Sequence, residues 1–490
     1  MSEQQDRSHS RIAAERRRRR RRQAIIRRIC FGVICAVLIA LIIILCIKIF
    51  GESGSDEKET SGEVVTAENE STSGSEQNDS VPEGAQSVID EAAFLAAQYD
   101  YDGAIEKLRS VAGFEDDEAI KSLISEYELA RDTCVTVDMS TVPHVFYHTL
   151  ICDFNRCFKS SHDKSLMNGY NAWMLTVDEF KECLQQLYDQ NYVIINIGDS
   201  YKKDSEGNYS MATDVKLPQG KKAVIFSYDD TCYYCQYQDW GMADRLILDE
   251  NGELKCEYTD ESGKTTVGNY DHIPILNDFV KEHPDFSWHG HKGTLALTGY
   301  DGILGYRTEF RMFDYPTSDE SSWLAANPWC KKSEIETYKE QAKVIVQALK
   351  DNGYEFASHT WGHRHADQKG LDWLKQDTEW WCERVESLTG DTDILIYPHG
   401  GDIGGMEDYS SSNEKYTYLK SMGFGVFCGV DGTALYWNQY RSGYVRQSRI
   451  NIDGINMYQT LQGNNTALKK LGLDVEKIFD TRRPTPVTAG

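Results

Sequence analysis

From about residue 140 the chain alternates short apolar runs with longer amphipathic ones. The runs at 144–148, 192–197, 223–228, 293–298, 354–358, 393–397 and 424–430 read as strands. Helices are expected between them. Thr176-Val-Asp-Glu179 is a capping box, with Phe180, Leu184 and Leu187 following on one face. Others are expected over 273–282, from a cap at Ser333-Glu-Ile-Glu336 to near Gly353, over 370–389 and before Gly423. Strand and helix in alternation predict an α/β fold with a parallel sheet, and at this length a (β/α) barrel is the natural closure. Residues 231–271 interrupt the alternation and predict a long loop insertion near the mouth of the site.

Upstream the pattern differs. Over 87–133 the period is helical: Val88, Ala92, Leu95 and Tyr99 share one face, Ala104, Ile105 and Leu108 another, and Ala119, Leu123, Ile124 and Tyr127 a third. The stretch around Tyr99-Asp-Tyr-Asp102 resembles half of a tetratricopeptide unit. One such unit rarely folds alone, so it is expected to pack on the main domain or a partner; a plain helical stalk is the rival reading. Before it, residues rich in Gly, Ser, Glu and Thr form a solvated, self-repelling spacer. Residues 29–47 carry neither charge nor proline. At about 1.5 Å rise per residue that run covers a hydrocarbon core of roughly 30 Å.

Seven consecutive arginines, Arg16 to Arg22, then Arg27 and Arg28, precede this span, and only Lys48 closely follows it. That asymmetry holds the N-terminus in the cytoplasm and sends the rest outward, to the extracellular side of the cell membrane. A cleavable signal peptide would have a shorter apolar core and small residues after it, whereas Lys48-Ile49-Phe50 follows here. The expected organisation is a cytoplasmic tail (1–28), a transmembrane helix (29–49), an acidic linker (50–86), a helical segment (87–135), the main domain (138–455) and a C-terminal extension (456–490).

Of the 52 Lys and Arg, 12 lie before residue 51, as do 3 of the 77 Asp and Glu, so the remainder carries about −34. Such a charge argues against nucleic acid or a strongly anionic polymer as partner. Of thirteen cysteines, Cys30, Cys35 and Cys46 fall in the span. Cys232-x-x-Cys235 reads as a redox pair or half a zinc knuckle. With no second Cys-x-x-Cys in the chain, a structural zinc is disfavoured.

Three predicted strands end in candidate ligands. Tyr228 is followed by Asp229 and Asp230, Ser358 by His359, and Tyr397 by Pro398-His399-Gly400. Sites of such barrels form at the C-terminal rim, so the three groups are expected to converge. His359-Thr-Trp-Gly-His363 has the i, i+4 spacing that can present two imidazoles on one side of a turn. With one carboxylate this is a His-His-Asp set that leaves positions open for water and substrate. Each piece alone has a bland reading: a bare H-x-x-x-H is more often a surface pair, and Asp-Asp more often a turn.

Taken together, residues 138–455 resemble the NodB-type polysaccharide deacetylases. Val145-Phe-Tyr-His148 matches their opening strand, and the helix and strand at 176–197 match the pair that follows. Ser227-Tyr-Asp-Asp-Thr231 corresponds to their T-F-D-D-G motif, His359-Thr-Trp-Gly-His363 to H-[ST]-x-x-H, and Pro398-His399-Gly400 to Pro-Tyr-Gly. The resemblance implies a distorted (β/α) barrel and a divalent metal, zinc foremost, held by Asp230, His359 and His363. It implies Asp229 as general base, the backbone N–H of His399 as an oxyanion donor, and an acetylated polysaccharide of the cell wall or surface as substrate.

Two departures stand out. The family carries an arginine two residues before the proline, bracing the base, where this chain has Ile396. Its late general-acid histidine has no counterpart, because no histidine follows residue 399; the stretch there reads Arg449-Ile-Asn-Ile-Asp453. The acid is therefore expected to be His399, or failing that His148, with Asp402 a candidate for a lost supporting residue. A degenerate barrel that binds glycan as a scaffold or sensor without turnover is the rival reading. His289 and His291 read as loop caps, with substrate contact the rival reading. Trp361, Trp373, Trp380 and Trp381 are candidates to stack on sugar rings, but the last three sit at helical positions and read as core.

Overall fold

The computed structural model describes residues 83–489. The expected tail, the transmembrane helix and most of the linker lie outside the described residues. No described helix is long and apolar enough to cross a membrane.

Eight parallel strands carry the main domain: β1 (His144–Tyr147), β2 (Tyr192–Ile195), β3 (Lys222–Asp229), β4 (Gly293–Leu297), β5 (Tyr354–Ser358), β6 (Ile394–Ile396), β7 (Val426–Val430) and β8 (Tyr444–Asn451). Seven of them close a ring in the order β1-β3-β4-β5-β6-β7-β8, with β8 returning to β1 through Ile450 opposite Val145. β2 stands beside the ring and pairs with the first half of β3, Ile195 opposite Ile225. Beyond that point β3 pairs with β4 instead, Tyr228 opposite Leu295. The domain is a closed parallel (β/α) barrel.

Side chains alternate along each strand, so one strand serves two packing layers. Ile225, Ala296, Ala357, Ile396 and Cys428 form one cluster, while Phe226, Leu295, Phe356, Leu395 and Phe427 belong to a larger one. The first set is small or branched and fills the barrel; the second meets the surrounding helices. Among these helices, Val177–Asp189 keeps its capping box, and Gly423, with φ at 102°, ends Glu414–Met422 in the left-handed conformation that favours glycine. The cap expected at Ser333 does not form. A 3-10 turn over Lys332–Glu334 leads into the helix Ile335–Asp351, whose Glu334 makes no side-chain cap.

The insertion after β3 is not a plain loop. Arg245–Leu248, Leu254–Thr259 and Thr265–Gly268 form a three-stranded antiparallel sheet. The strand β8 has no counterpart among the predicted runs. The helix Gly454–Leu461 crosses the expected boundary at 455, and the chain beyond it returns to the barrel. Arg483, fully buried, pairs with Glu179 and donates to the Met174 carbonyl at 2.7 Å.

The upstream helices, Glu83–Ala97, Tyr101–Arg109 and Glu118–Thr133, share a small cluster that includes Ala92, Ala104, Leu108 and Ile120. They pack on the base of the barrel. The Tyr99 hydroxyl donates to the Asp285 carbonyl at 2.7 Å, and the His289 N–H to the Gln98 carbonyl at 2.8 Å. His291 pairs with Asp199 at this same end, before β4 begins, remote from the C-terminal rim.

Candidate active site

At its C-terminal end β3 delivers Asp229, in register with Ile225 and Ser227 on the barrel-facing side. The chain then turns abruptly, with Asp230 at φ 58°. Thr360, His363 and His399, at φ 57°, 48° and 56°, occupy the same left-handed region at the neighbouring strand ends. Non-glycine residues enter that region at a cost of order 1–3 kcal/mol, and such residues cluster where a side chain must be aimed. The i, i+4 histidines converge through this irregular turn and not through a helix. Asp377, on the helix Leu371–Trp381, holds it by accepting the N–H groups of Trp361 at 2.7 Å and Gly362 at 2.8 Å.

Asp230, His359 and His363 each bring one ligand atom within 4.8 Å of the others. His363 Nε2 lies 3.4 Å from Asp230 Oδ2, and His359 Nε2 lies 4.0 Å from Asp230 Oδ1. Ligands of a tetrahedral zinc stand roughly 3.3 Å apart, so the set fits a cation with little movement. His359 donates from Nδ1 to the Ile396 carbonyl at 2.9 Å, which fixes the tautomer and leaves Nε2 free to ligate. Burial holds both imidazoles below their ordinary value, His359 at about 4 and His363 at about 3, so both are the neutral ligands that a metal needs. The Tyr234 hydroxyl donates to Asp230 at 2.6 Å and orients it.

Asp229 is the most constrained group in the site. Arg449, fully buried on β8, donates from Nη1 to Oδ1 at 2.7 Å and from Nη2 to Oδ2 at 2.9 Å. The guanidinium also donates to Ser227 Oγ and the Gly429 carbonyl and lies 4.1 Å over the ring of Phe146, on the intervening β1. Burial by itself would raise the Asp229 pKa. The charge and paired hydrogen bonds of Arg449 outweigh it and hold the carboxyl well below the usual carboxylate range. Sequence reasoning missed Arg449 as a site residue. The brace absent at Ile396 comes from another strand of the ring.

These groups open onto one cavity of about 520 Å³, lined also by His148, His399, Asn451 and Asp453. His148 follows β1 on the barrel-facing alternation and is half-buried; Tyr147 stands opposite Tyr228, which puts His148 beside the Asp229 end of β3. His399 is exposed at the rim, stacked on His365 with ring centres 4.3 Å apart, and 4.5 Å from the ring of His363. Pro398 is buried beneath it in the turn Pro398–Gly400. Asp402 does not reach Asp229. It accepts from Arg446 at 3.0 Å and from the Tyr409 hydroxyl at 2.7 Å, outside the cavity.

The Cys232 and Cys235 thiols are free and buried, and burial raises both pKa values, that of Cys232 to about 12. Thiols so placed behave as small apolar groups and not as a redox pair.

No family model matches the chain, and no curated protein does. Among solved structures, the Streptococcus pyogenes deacetylase PplD in complex with acetate is similar over 67% of this chain and 98% of that one, at 15% identity and a TM-score of 0.32. That likeness is too slight to carry an argument.

Proposed function

We propose that this chain is a metal-dependent hydrolase that removes acetyl groups from an amino-sugar polysaccharide outside the cytoplasm. One observation carries the reading. An ionised carboxylate, Asp229, is held by a buried arginine directly beside a carboxylate and two neutral imidazoles spaced for a cation. The motif resemblance supplies the substrate class, and the charge asymmetry around residues 29–47 supplies the location.

A divalent cation held by Asp230, His359 and His363 would acidify water and polarise the acetyl carbonyl. Asp229 takes the proton of the attacking water. Its low pKa keeps it ionised, and the bidentate grip keeps it from swinging onto the cation as a further ligand. The leaving amine needs a proton in return, and a rim histidine is the suited donor. We favour His148 over the expected His399, because His148 stands on the Asp229 side of the cavity near Asp453, whereas His399 faces solvent. The reading of a barrel that only binds glycan is weakened by Arg449, which restores the brace its absence at 396 had put in question.

The test is acetate release from N-acetylglucosamine oligomers and peptidoglycan, with the metal content measured on the same sample. Release that stops on chelation and returns with added metal supports the reading. A metal-loaded protein that releases none from either substrate refutes it.

A further inference from the structure

Gln447 on β8, His144 on β1 and Ser227 on β3 face the barrel interior below Asp229, all buried, and hydrogen bonds join them across the ring. His144 Nδ1 lies 3.1 Å from Gln447 Oε1, and His144 Nε2 lies 2.9 Å from Ser227 Oγ. Gln447 Nε2 donates to Ser200 Oγ at 2.8 Å, and the Ser200 hydroxyl donates in turn to the Ile197 carbonyl at 2.7 Å. At the upper end Ser227 Oγ accepts from Arg449 Nη1 at 3.2 Å. We propose that His144 is a positioning residue: this relay sets Ser227 as an acceptor and so holds Arg449 square on Asp229. The inference rests on the hydrolase reading for the role of Asp229 as base.

The Ile197 carbonyl fixes the direction of every bond above it. A carbonyl only accepts, so the Ser200 hydroxyl places its one proton there and must accept from Gln447. The amide therefore presents its NH2 to Ser200 and its oxygen to His144. That oxygen also only accepts, so the imidazole carries a proton on Nδ1. Burial, and after it the charge of Arg449, hold His144 well below its ordinary value, so the ring is neutral and Nε2 accepts. The Ser227 proton then goes to Nε2, and the Ser227 lone pairs are left for the guanidinium.

A polar network this deep is costlier to bury than the apolar residues that fill the barrel elsewhere, among them Ile225, Ala296, Ala357 and Ile396. Its members stand on β8, β1 and β3, the adjoining strands that carry Arg449 and Asp229. The strand between them supports the guanidinium twice. Phe146 offers its ring face at 4.1 Å, and His144, the next barrel-facing residue below it, acts through Ser227. A protonated ring at 144 would turn Nε2 into a donor, compete with the guanidinium for Ser227 and repel its charge. The neutral ring in a single tautomer is thus what keeps Arg449 aimed at the base.

The experiment is nitrogen NMR of the full-length, metal-loaded protein labelled at its histidine rings, with acetate release measured on the same variants. The His144 signals, identified by their loss in His144→Gln, are expected to show a proton on Nδ1, none on Nε2, and no titration at about pH 6.5, where a free histidine titrates. Ser227→Ala should shift the Nε2 signal and lower kcat about 10-fold, with KM and metal content unchanged. It should also move the acid limb of the pH profile upward, because a loosened Arg449 leaves Asp229 easier to protonate. Ser227→Thr keeps the hydroxyl and should retain most of the rate. The shift in Ser227→Ala identifies the His144 ring if His144→Gln does not fold. A proton on His144 Nε2, or an unaltered kcat and acid limb in Ser227→Ala, overturns the relay and leaves the hydrolase reading standing. A wild type that releases no acetate refutes that reading, and the ring nitrogens then decide the relay: a proton on Nδ1 alone supports it, and one on Nε2 overturns it.

Discussion

Arg449 grips Asp229 through both carboxylate oxygens, at 2.7 and 2.9 Å, although 220 positions separate them in the chain. Both are buried, so removing one partner strands the other. Arg449→Met should destabilise the protein by about 3–5 kcal/mol, while the double variant with Asp229→Leu should recover much of the loss. Urea unfolding of the four proteins checks this. A double-variant cost equal to the sum of the Arg449→Met and Asp229→Leu costs would mean the pair is not coupled.

The same pair gives a direction with pH. Asp229 has a folded pKa below its ordinary value of 3.8. Its contribution to stability is therefore complete above that value and is lost as pH falls through it toward the lower folded pKa. The stability gap between the metal-free wild type and Arg449→Met should narrow on acidification below about pH 4. A gap that widens there contradicts the assignment.

Much of this was legible in the sequence, for a physical reason. Asp229, Asp230, His359 and His363 follow apolar strands directly, so local pattern fixes both their strand and their end of the barrel. β8 was not legible. Its barrel-facing Gln447 and Arg449 are polar because they meet polar partners, His144 Nδ1 at 3.1 Å from Gln447 and Asp229 on Arg449, and this erases the apolar run that marks a strand. Nothing in Arg449-Ile-Asn-Ile-Asp453 names a partner two hundred residues upstream. Trp373 and Trp380, half-buried where core was expected, escaped for a related reason, since helical spacing is the same whether a face meets core or surface.

The ligand set makes a graded prediction. His359→Ala or His363→Ala should abolish binding of divalent metal, and Asp230→Ala should weaken it strongly, as read by metal content after dialysis. Full occupancy in His359→Ala would remove the site from the position assigned to it.

The proton donor is tested by two variants. His148→Ala should lower kcat by roughly 10²-fold with metal content unchanged, and His399→Phe should have a smaller effect. The opposite order would return the role to His399.

Topology is tested by fusion. The proposed topology, in which the arginines before residue 29 hold the N-terminus inside, predicts that a C-terminal reporter working only outside the cytoplasm is active. Activity instead of a reporter restricted to the cytoplasm would reverse the orientation.

The central claim is that Asp229 acts as a base and not as a ligand. Asp229→Asn removes the proton acceptor and leaves Asp230, His359 and His363 in place. Metal content and acetate release from N-acetylglucosamine oligomers, measured together on wild type and variant, separate the two roles. The account predicts one bound metal in both proteins and acetate release lowered by roughly 10²-fold or more in the variant. Undiminished release by Asp229→Asn, or loss of its metal, would contradict it.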